Sequence, residues 1–194
     1  MSVSLTKGQK VSLTKAAGTA GLSTVTMGLG WDAKKATGFM SMFKGGDAID
    51  LDASCVLLSD AQEPVDVVWF QQLRSKDGSI QHTGDNTTGA GDGDDEQIVV
   101  DLSKVPDTVR YLVFTINSFT GQTFEKIENA FCRIVDNNTK TEMARYNLTG
   151  GGSYTAQIMA KVYRHEGEWK MHAIGESGSG RTFHELLPLI RTVL

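Results

Sequence analysis

Short apolar runs divide this chain, and their length restricts the folds it can adopt more than any other feature. The runs are rich in β-branched and aromatic residues, and Gly, Asn, Asp and Pro separate them. Nine such runs lie at Ser23–Trp31, Ile49–Ser59, Val65–Leu73, Glu96–Leu102, Val109–Phe119, Glu128–Asp136, Glu142–Leu148, Tyr154–His165 and Glu168–Glu176. Many short strands at this spacing predict a mainly all-β chain folded as an antiparallel β-sandwich.

The two ends of the chain carry weaker signals. Runs that begin at Val3 and Val11 share the letters VSLTK and predict paired or adjacent edge strands. Near the other end, Thr182-x-x-Glu185 fits a capping box. Apolar residues then recur with helical spacing at Leu186, Leu187, Ile190 and Val193 or Leu194. We therefore expect a C-terminal α-helix that packs across one edge or end of the sandwich.

Composition excludes several classes of protein. The formal net charge of the 194 residues is −4, and no strongly basic face is visible, so we expect no nucleic acid partner. No apolar run approaches the roughly 18 residues of a membrane span, and the first residues lack the apolar core of an export signal. Cys55 and Cys132 lie within apolar runs and are expected in the core. We expect one cytoplasmic domain over residues 1–194.

One segment, Ala33–Ala48, interrupts the pattern of strands. It contains Phe39, Met40, Met42 and Phe43, flanked by Lys and Gly. Two interpretations stay open. The segment folds back onto the domain, or it forms an exposed contact through Phe39–Phe43 for a partner or a membrane surface.

The stretch His82–Glu96, here called the acidic loop, holds four glycines and five acidic residues without any Lys or Arg. Carboxylates so close together repel each other unless water or a cation separates them. The glycines permit positive φ angles, so the backbone can turn its carbonyls towards a bound ion. An oxygen-only donor set of this kind is typical of Ca²⁺. The alternative is a solvated linker.

Part of the acidic loop has the length of an EF-hand loop but lacks other features of that motif. Asp85 to Glu96 spans twelve residues, but Ala90 stands at the sixth position, where the turn glycine belongs. The flanking residues predict strands rather than helices. His82, just ahead of the loop, is expected to orient it through a hydrogen bond. A different calcium geometry is therefore required.

A second acidic element precedes the loop in sequence. Alternation along Ile49–Leu58 places Asp50 and Asp52 side by side on one face of a mostly buried strand. Burying two unpaired carboxylates is unfavourable, and a shared cation would neutralise them. Asp32 follows another strand and is a third candidate.

Several motifs, taken in order, carry a resemblance to a known family. They are VSLTKG, GLGWD (Gly28–Asp32), DLDASC (Asp50–Cys55), the acidic loop, NAFCRIVD (Asn129–Asp136), ARYNL (Ala144–Leu148) and GEWKMHAIGES (Gly167–Ser177). Over nearly the whole chain they resemble the TerD family of bacterial tellurite-resistance and stress proteins. FMSMFKGGD and FTINSFTGQTFEKIENAFCR are most similar to the TerZ-type branch.

The resemblance implies a β-sandwich that binds two Ca²⁺ ions close together and has no established enzymatic activity. It implies partners among other Ter-system proteins, in a TerB/TerC-like complex at the inner face of the membrane. The positions that match the metal-binding motif are Asp32, Asp50, Asp52, Asp85, Asn86, Asp92, Asp94, Asp95 and Glu96.

The function expected from these features is a non-enzymatic, cytoplasmic calcium-binding sensor or scaffold in tellurite resistance or stress response. Two alternatives stay open. Clustered carboxylates around divalent ions could instead serve a metal-dependent hydrolase or phosphoryl-transfer enzyme, although the acidic loop supplies no basic clamp for phosphate. Calcium could also bridge the chain to anionic lipid, which would make it a membrane-surface adaptor anchored by Phe39–Phe43.

Overall fold

A computed structural model describes residues 2–33, 50–84, 93–148 and 151–194 of the chain. The contact predicted through Phe39–Phe43 lies outside these residues and stays a prediction. Asp85, Asn86 and Asp92 of the acidic loop also lie outside them. The last residues of the loop and the other predicted site residues are described.

Two sheets of six strands face each other in the described part of the chain. The first sheet contains β1 (Val3–Leu5), β3 (Thr24–Ala33), β6 (Ile80–His82), β7 (Glu96–Asp101), β9 (Ile127–Asp136) and β10 (Thr141–Asn147). The second contains β2 (Lys10–Ser12), β4 (Leu51–Leu58), β5 (Pro64–Val68), β8 (Tyr111–Ser118), β11 (Ala156–His165) and β12 (Glu168–Gly178). The predicted mainly-β sandwich is confirmed.

The strand order explains how distant segments meet. The first sheet runs β1-β10-β9-β3-β7-β6, and the second runs β2-β12-β11-β8-β4-β5. Pairing is antiparallel throughout the described strands except that β1 runs parallel to β10. The order places β3 between β9 and β7, so the chain that enters β7 from the acidic loop lies beside β3.

The main core fills the space between the sheets, and β4 shows how alternation builds it. Leu51, Ala53, Cys55 and Leu57 point into this core. Val56 and Leu58, on the opposite face of the same strand, join a second apolar cluster. Both faces of β4 are therefore covered, which accounts for its unbroken run of buried residues. Cys55 and Cys132 are free and buried, as predicted.

The second cluster lies beneath a C-terminal helix, α2 (Phe183–Thr192). Thr182 and Glu185 form the predicted capping box, with the Thr182 N–H donating to Glu185 Oε2 at 3.1 Å. Phe183, Leu186 and Ile190 pack on the outer face of the second sheet. The prediction that this helix packs across an edge or end of the sandwich was wrong. The helix instead buries the apolar side chains on the outer face of β4, β8 and β11. No helix among the described residues is long and apolar enough to cross a membrane.

The two VSLTK segments form strands in different sheets. β1 pairs with β10 in the first sheet, whereas β2 pairs with β12 in the second. They are edge strands, as expected, but they are not paired with or adjacent to each other. After β2 the chain forms a short helix, α1 (Leu13–Ala17), because the Ser12 side chain accepts the N–H of Lys15 and caps it.

Candidate metal centre

Two glycines of β3 allow the end of the acidic loop to lie against the first sheet. A side chain at Gly28 would overlap the carboxylate of Asp94, closer than real Cβ contacts allow. A Cβ at Gly30 would lie 2.6 Å from the Gly93 carbonyl oxygen and would also overlap the Phe131 ring. The GLGWD motif therefore provides room for the loop. A phosphate-binding role is not needed to explain its glycines.

Asp94 is held by an arginine from across the sheet. Arg133 Nε donates to Asp94 Oδ1 at 2.7 Å, and its Nη2 donates to Oδ2 at 3.1 Å. The Asp94 side chain is only 2% exposed. The hydrogen bonds from Arg133 to Asp94 and, more weakly, to Glu142 raise the pKa of the guanidinium, although burial opposes them. Asp94 thus anchors the loop to β9 through a two-point charged pair.

Asp95 and Asp32 bring two further carboxylates to the same end of β3. The Trp31 N–H donates to Asp95 Oδ2 at 2.8 Å, and the Asp95 N–H donates to the Leu29 carbonyl at 2.8 Å. Burial raises the pKa of Asp95, and the negative charges of Asp32 and Asp94 raise it further, while the Trp31 N–H opposes both. This crowding of negative charge at one place is what a cation would relieve.

Asp32 is positioned from the neighbouring strand. Asn129 Nδ2 donates to Asp32 Oδ2 at 2.8 Å. Asn129 itself adopts a φ of 55°, an unusual conformation for a residue with a side chain, although Asn tolerates it better than most. The irregularity in β9 at this residue coincides with a register shift between Gly30 and Asp32 on β3. The local backbone of both strands therefore sets the direction of this carboxylate.

Glu96 turns inward and links the loop to the second sheet. Its Oε2 accepts the Ala53 N–H of β4 at 2.7 Å and lies 3.2 Å from His82 Nε2. Glu96 and His82 are both almost fully buried. Since the Gly84 N–H donates to His82 Nδ1 at 3.2 Å, a neutral His82 carries its proton on Nε2 and donates it to Glu96. His82 therefore holds both ends of the acidic loop, which confirms the orienting role predicted for it.

Asp50 and Asp52 enter β4 on the face predicted from alternation. Asp52 is 6% exposed and Asp50 is half-buried. Their chain neighbours Leu51 and Ala53 point into the main core. Because successive side chains of a strand point to opposite faces, Asp50 and Asp52 face away from this core. The contact of Glu96 with the Ala53 N–H places the acidic loop beside this start of β4.

The structure therefore relates the described candidates to two strands. Asp94 lies against Gly28 of β3, the charges of Asp32 and Asp94 act on Asp95, and Glu96 contacts the start of β4. Within residues 2–33, 50–84, 93–148 and 151–194, no three His, Cys, Asp or Glu side chains are arranged to hold a metal ion by themselves. The donors present are carboxylates, which suit a hard cation. They would need additional oxygens from the loop to complete a calcium site.

Arg133 is the residue that sequence reasoning missed. It lies on the outward face of β9 between the buried residues Cys132 and Ile134. The only local signal was a charged residue at an outward position of a strand, which ordinarily indicates a solvated side chain. Its pairing with Asp94 depends on β9 lying next to β3.

A cavity of about 830 Å³ adjoins this end of the first sheet. Asp32, Gly93 and Trp31 line one side of it, and Arg133 and Arg145 line another. The Arg145 guanidinium lies 3.7 Å from the centroid of the Phe131 ring. The site thus opens onto a groove that is walled by carboxylates, arginines and aromatic rings.

Comparison with known proteins relates this geometry to a family. A profile described as the TerD domain matches residues 1–188. The chain is 48% identical to the tellurium resistance protein TerZ of Serratia marcescens, over 95% of this chain and 94% of that protein. It is 42% identical to the stress response protein SCP2 of Bacillus subtilis (strain 168), over 96% of this chain and 98% of that protein.

A solved structure shares the fold. It is a homologue of telluride resistance protein (TerD) from Streptomyces coelicolor A3(2), with a TM-score of 0.66 and 20% identity. The match covers 82% of this chain and 92% of that one. The domain match and the relatives in tellurium resistance and stress response confirm the resemblance seen in the sequence, so the chain belongs to the TerD family.

Proposed function

We propose that this chain is a non-enzymatic Ca²⁺-binding protein of a bacterial tellurite-resistance or stress-response system. It acts as a sensor or scaffold in the cytoplasm or at the inner face of the membrane. The observation that carries the proposal is the negative charge of Asp32 and Asp94 near Asp95, which adds to burial in raising the pKa of Asp95, while Arg133 pairs with Asp94. A divalent ion would relieve this crowding of negative charge.

The described carboxylates would have two different roles, anchoring the loop and binding calcium. Asp94 has both oxygens engaged by Arg133 and Gln97, so it serves chiefly as an anchor of the loop. The Asn129 side chain positions the Asp32 carboxylate, and the Trp31 N–H helps to position that of Asp95. We propose that these two ligate calcium together with Asp85, Asn86 and Asp92 of the loop. Bound calcium would supply positive charge that orders the loop.

The direct test is a calcium titration of the purified, metal-depleted protein by calorimetry, together with elemental analysis of the protein as purified. We expect uptake at micromolar free calcium, with a stoichiometry of about two, and weaker uptake in Asp92→Asn and Asp95→Asn. Asp60→Asn is a matched control, since that side chain is 88% exposed and lies on the opposite sheet. The absence of calcium uptake at micromolar concentration would overturn the proposal.

One observation favours a second candidate, a metal-dependent hydrolase or phosphoryl-transfer enzyme. The groove beside Asp32 contains Arg133 and Arg145, the basic clamp that the acidic loop itself lacks. Both guanidiniums are already engaged, Arg133 with Asp94 and Glu142, and Arg145 with Glu142, Asn147 and the Phe131 ring. Turnover of a phosphodiester or nucleotide that disappears in Asp95→Asn would establish this candidate in place of the first.

The proposed partners are other Ter-system proteins, in a TerB/TerC-like complex at the inner membrane. The proposal rests on family membership, since stress-response relatives such as SCP2 share nearly the whole chain. Co-purification from cells with and without calcium chelator tests it. A sensor should retain its partners in one condition and release them in the other.

A further inference from the structure

A second cavity, of about 500 Å³, lies on the opposite sheet from the acidic site and is here called the basic cavity. Strands β2, β8, β11 and β12 of the second sheet form its floor, and Leu194, which follows α2, borders it. The charged side chains that line it include Lys10, Lys15, Arg110, Lys161, Lys170 and Glu168. Five Lys or Arg side chains thus surround one side-chain carboxylate, in a chain whose net charge is −4.

The carboxylate of Glu168 already has two partners, Ser12 and Lys15. Glu168 Oε2 accepts from Ser12 Oγ at 2.8 Å, and Glu168 Oε1 lies 3.1 Å from Lys15 Nζ. Arg110 has its nearest carboxylate, Asp60, at 3.7 Å, on a side chain that is 88% exposed. Lys10, Lys161 and Lys170 have no ion pair with a carboxylate in the described part of the chain. Positive charge in this cavity therefore exceeds the counter-charge that the described protein provides.

The strand register makes this concentration of charge unfavourable for folding. Lys10 of β2 is opposite His172 of β12, and His172 is opposite Lys161 of β11. Lys10 and Lys161 therefore lie on either side of His172, two strand spacings or about 10 Å apart, and the charge of Lys10 lowers the pKa of Lys161. Lysines are common on exposed edge strands, where they prevent aggregation. That reason does not apply to Lys161, which is 5% exposed on a strand with a neighbour on each side.

Lys161 is built into the floor of the cavity. Its Nζ donates to the Val193 carbonyl at 3.1 Å and lies 5.6 Å and 5.5 Å from the ring centroids of Tyr111 and Tyr163. An ammonium has three donors, and within the described residues Val193 accepts one of them. Burial, together with the smaller effect of the charge of Lys10, lowers the pKa of Lys161 to about 8. The two tyrosine rings wall this side of the cavity and reduce the access of water.

We propose that the basic cavity binds a phosphate-bearing anion with two or more negative charges, held by Lys10, Lys161 and Lys170. A multivalent anion supplies the counter-charge for several lysines at once, which a single carboxylate does not. Lysine binds phosphate as a point charge and needs no planar geometry. The concave shape and tyrosine walls favour a small ligand. The proposed calcium site lies on the opposite sheet, so we expect anion binding to be independent of calcium.

The test is a calorimetric titration of the calcium-depleted protein with inorganic pyrophosphate, at about 0.15 M salt because screening is moderate there. The test variant is Lys10→Gln/Lys170→Gln. Its matched control is Lys126→Gln/Lys140→Gln, which removes the same charge from exposed positions just before and just after β9, away from the basic cavity. We expect saturable one-site binding that weakens about tenfold or more in the test variant and less than about twofold in the control. Thermal unfolding establishes that both variants are folded.

Two results would overturn the proposal. One is the absence of binding heat with the wild-type protein. The other is equal weakening in the test and control variants, which would mean that net charge rather than the cavity governs binding. Because the buffer contains chelator and no calcium, either result leaves the calcium proposal untouched.

A further arm separates free phosphate compounds from lipid headgroups. Vesicles of phosphatidylglycerol are sedimented with the protein in the presence and absence of pyrophosphate, with phosphatidylcholine vesicles as the neutral control. Sedimentation that pyrophosphate reverses and that the test variant lacks assigns the cavity to a headgroup phosphate. Pyrophosphate binding without sedimentation assigns it to a soluble phosphate compound.

Discussion

Replacing Asp95 with Asn separates the two roles assigned to the acidic site. The amide oxygen of Asn can still accept the Trp31 N–H that Asp95 Oδ2 accepts at 2.8 Å, so the local backbone keeps its hydrogen bond. The substitution removes one negative charge from the neighbourhood of Asp32 and Asp94. The metal-free protein should therefore become more stable, and the calcium-bound protein should gain less from its ion.

The magnitude follows from the charges. Two unit charges about 5 Å apart at an effective dielectric constant of about 20 interact by about 3 kcal/mol. Arg133 already offsets Asp94, and water screens the half-exposed Asp95, so about 1 kcal/mol is a reasonable net gain for the metal-free variant. For a chain of this size that corresponds to a rise in melting temperature of about 2–4 °C.

With calcium bound, the wild type should be more stable than the Asp95→Asn variant. Free calcium at about 100 times Kd stabilises a one-site protein by about 2.7 kcal/mol, and a variant with tenfold weaker affinity gains only about 1.4 kcal/mol at the same concentration. Differential scanning calorimetry in chelator and at one fixed free calcium concentration measures both effects, with Asp60→Asn as the control. A metal-free Asp95→Asn that melts below the wild type, with an unchanged calcium shift, would refute the reasoning.

Three further substitutions test other contacts. Gly28→Ala should displace the Asp94 carboxylate from β3, lowering the free energy of unfolding by about 1–3 kcal/mol and weakening calcium uptake, as measured by denaturant titration and calorimetry. Arg133→Gln should leave the Asp94 charge buried and unpaired, at a cost of about 3 kcal/mol to the metal-free protein, and added calcium should recover part of this loss. Pyrophosphate affinity should fall as pH rises through about 8, where free Lys161 loses its proton, and Lys161→Arg should abolish this fall. An affinity that stays constant from pH 7 to pH 9 in the wild type would count against a role for Lys161.

The pH prediction has a definite sign. The pKa of Lys161 in the folded protein lies below its ordinary value, which means that folding disfavours the charged ammonium. An anion binds the charged ammonium more tightly than the neutral amine, so it should bind best below about pH 8. His172 on the adjoining strand is opposite Lys161. The other titratable or charged side chains that line the cavity are Lys10, Lys15, Arg110, Tyr111, Tyr163, His165, Glu168 and Lys170. Burial and the charges of Lys161 and Lys10 lower the pKa of His172, so it adds no titration above neutral pH.

Sequence predicted the features that depend on local spacing. The strand runs, the Thr182–Glu185 capping box and the turn at His165–Glu168 all follow from residues close together in the chain. In that turn Glu166 and Gly167 have φ angles of 53° and 75°, as a tight hairpin requires.

The remaining features depend on which strands become neighbours. The contact of Gly28 with Asp94, the pairing of Asp94 with Arg133 and the ladder of Lys10, His172 and Lys161 each join segments that are distant in sequence. Strand order is set by the packing of the whole sandwich, and no local pattern encodes it. The same applies to α2, whose apolar face predicted burial but not the outer face of the second sheet as its location.

The contact between Glu96 and the Ala53 N–H bears on how this protein avoids polymerising. On the side of β4 away from β8, β5 pairs only from Cys55 onwards, so Leu51–Ser54 lack a neighbouring strand there in the described part of the chain. Such a segment is a template to which a strand from another molecule can add. By accepting the Ala53 N–H, the buried Glu96 carboxylate blocks one rung of that template and places negative charge where an incoming strand would dock. The end of the acidic loop thus caps part of an otherwise open strand edge.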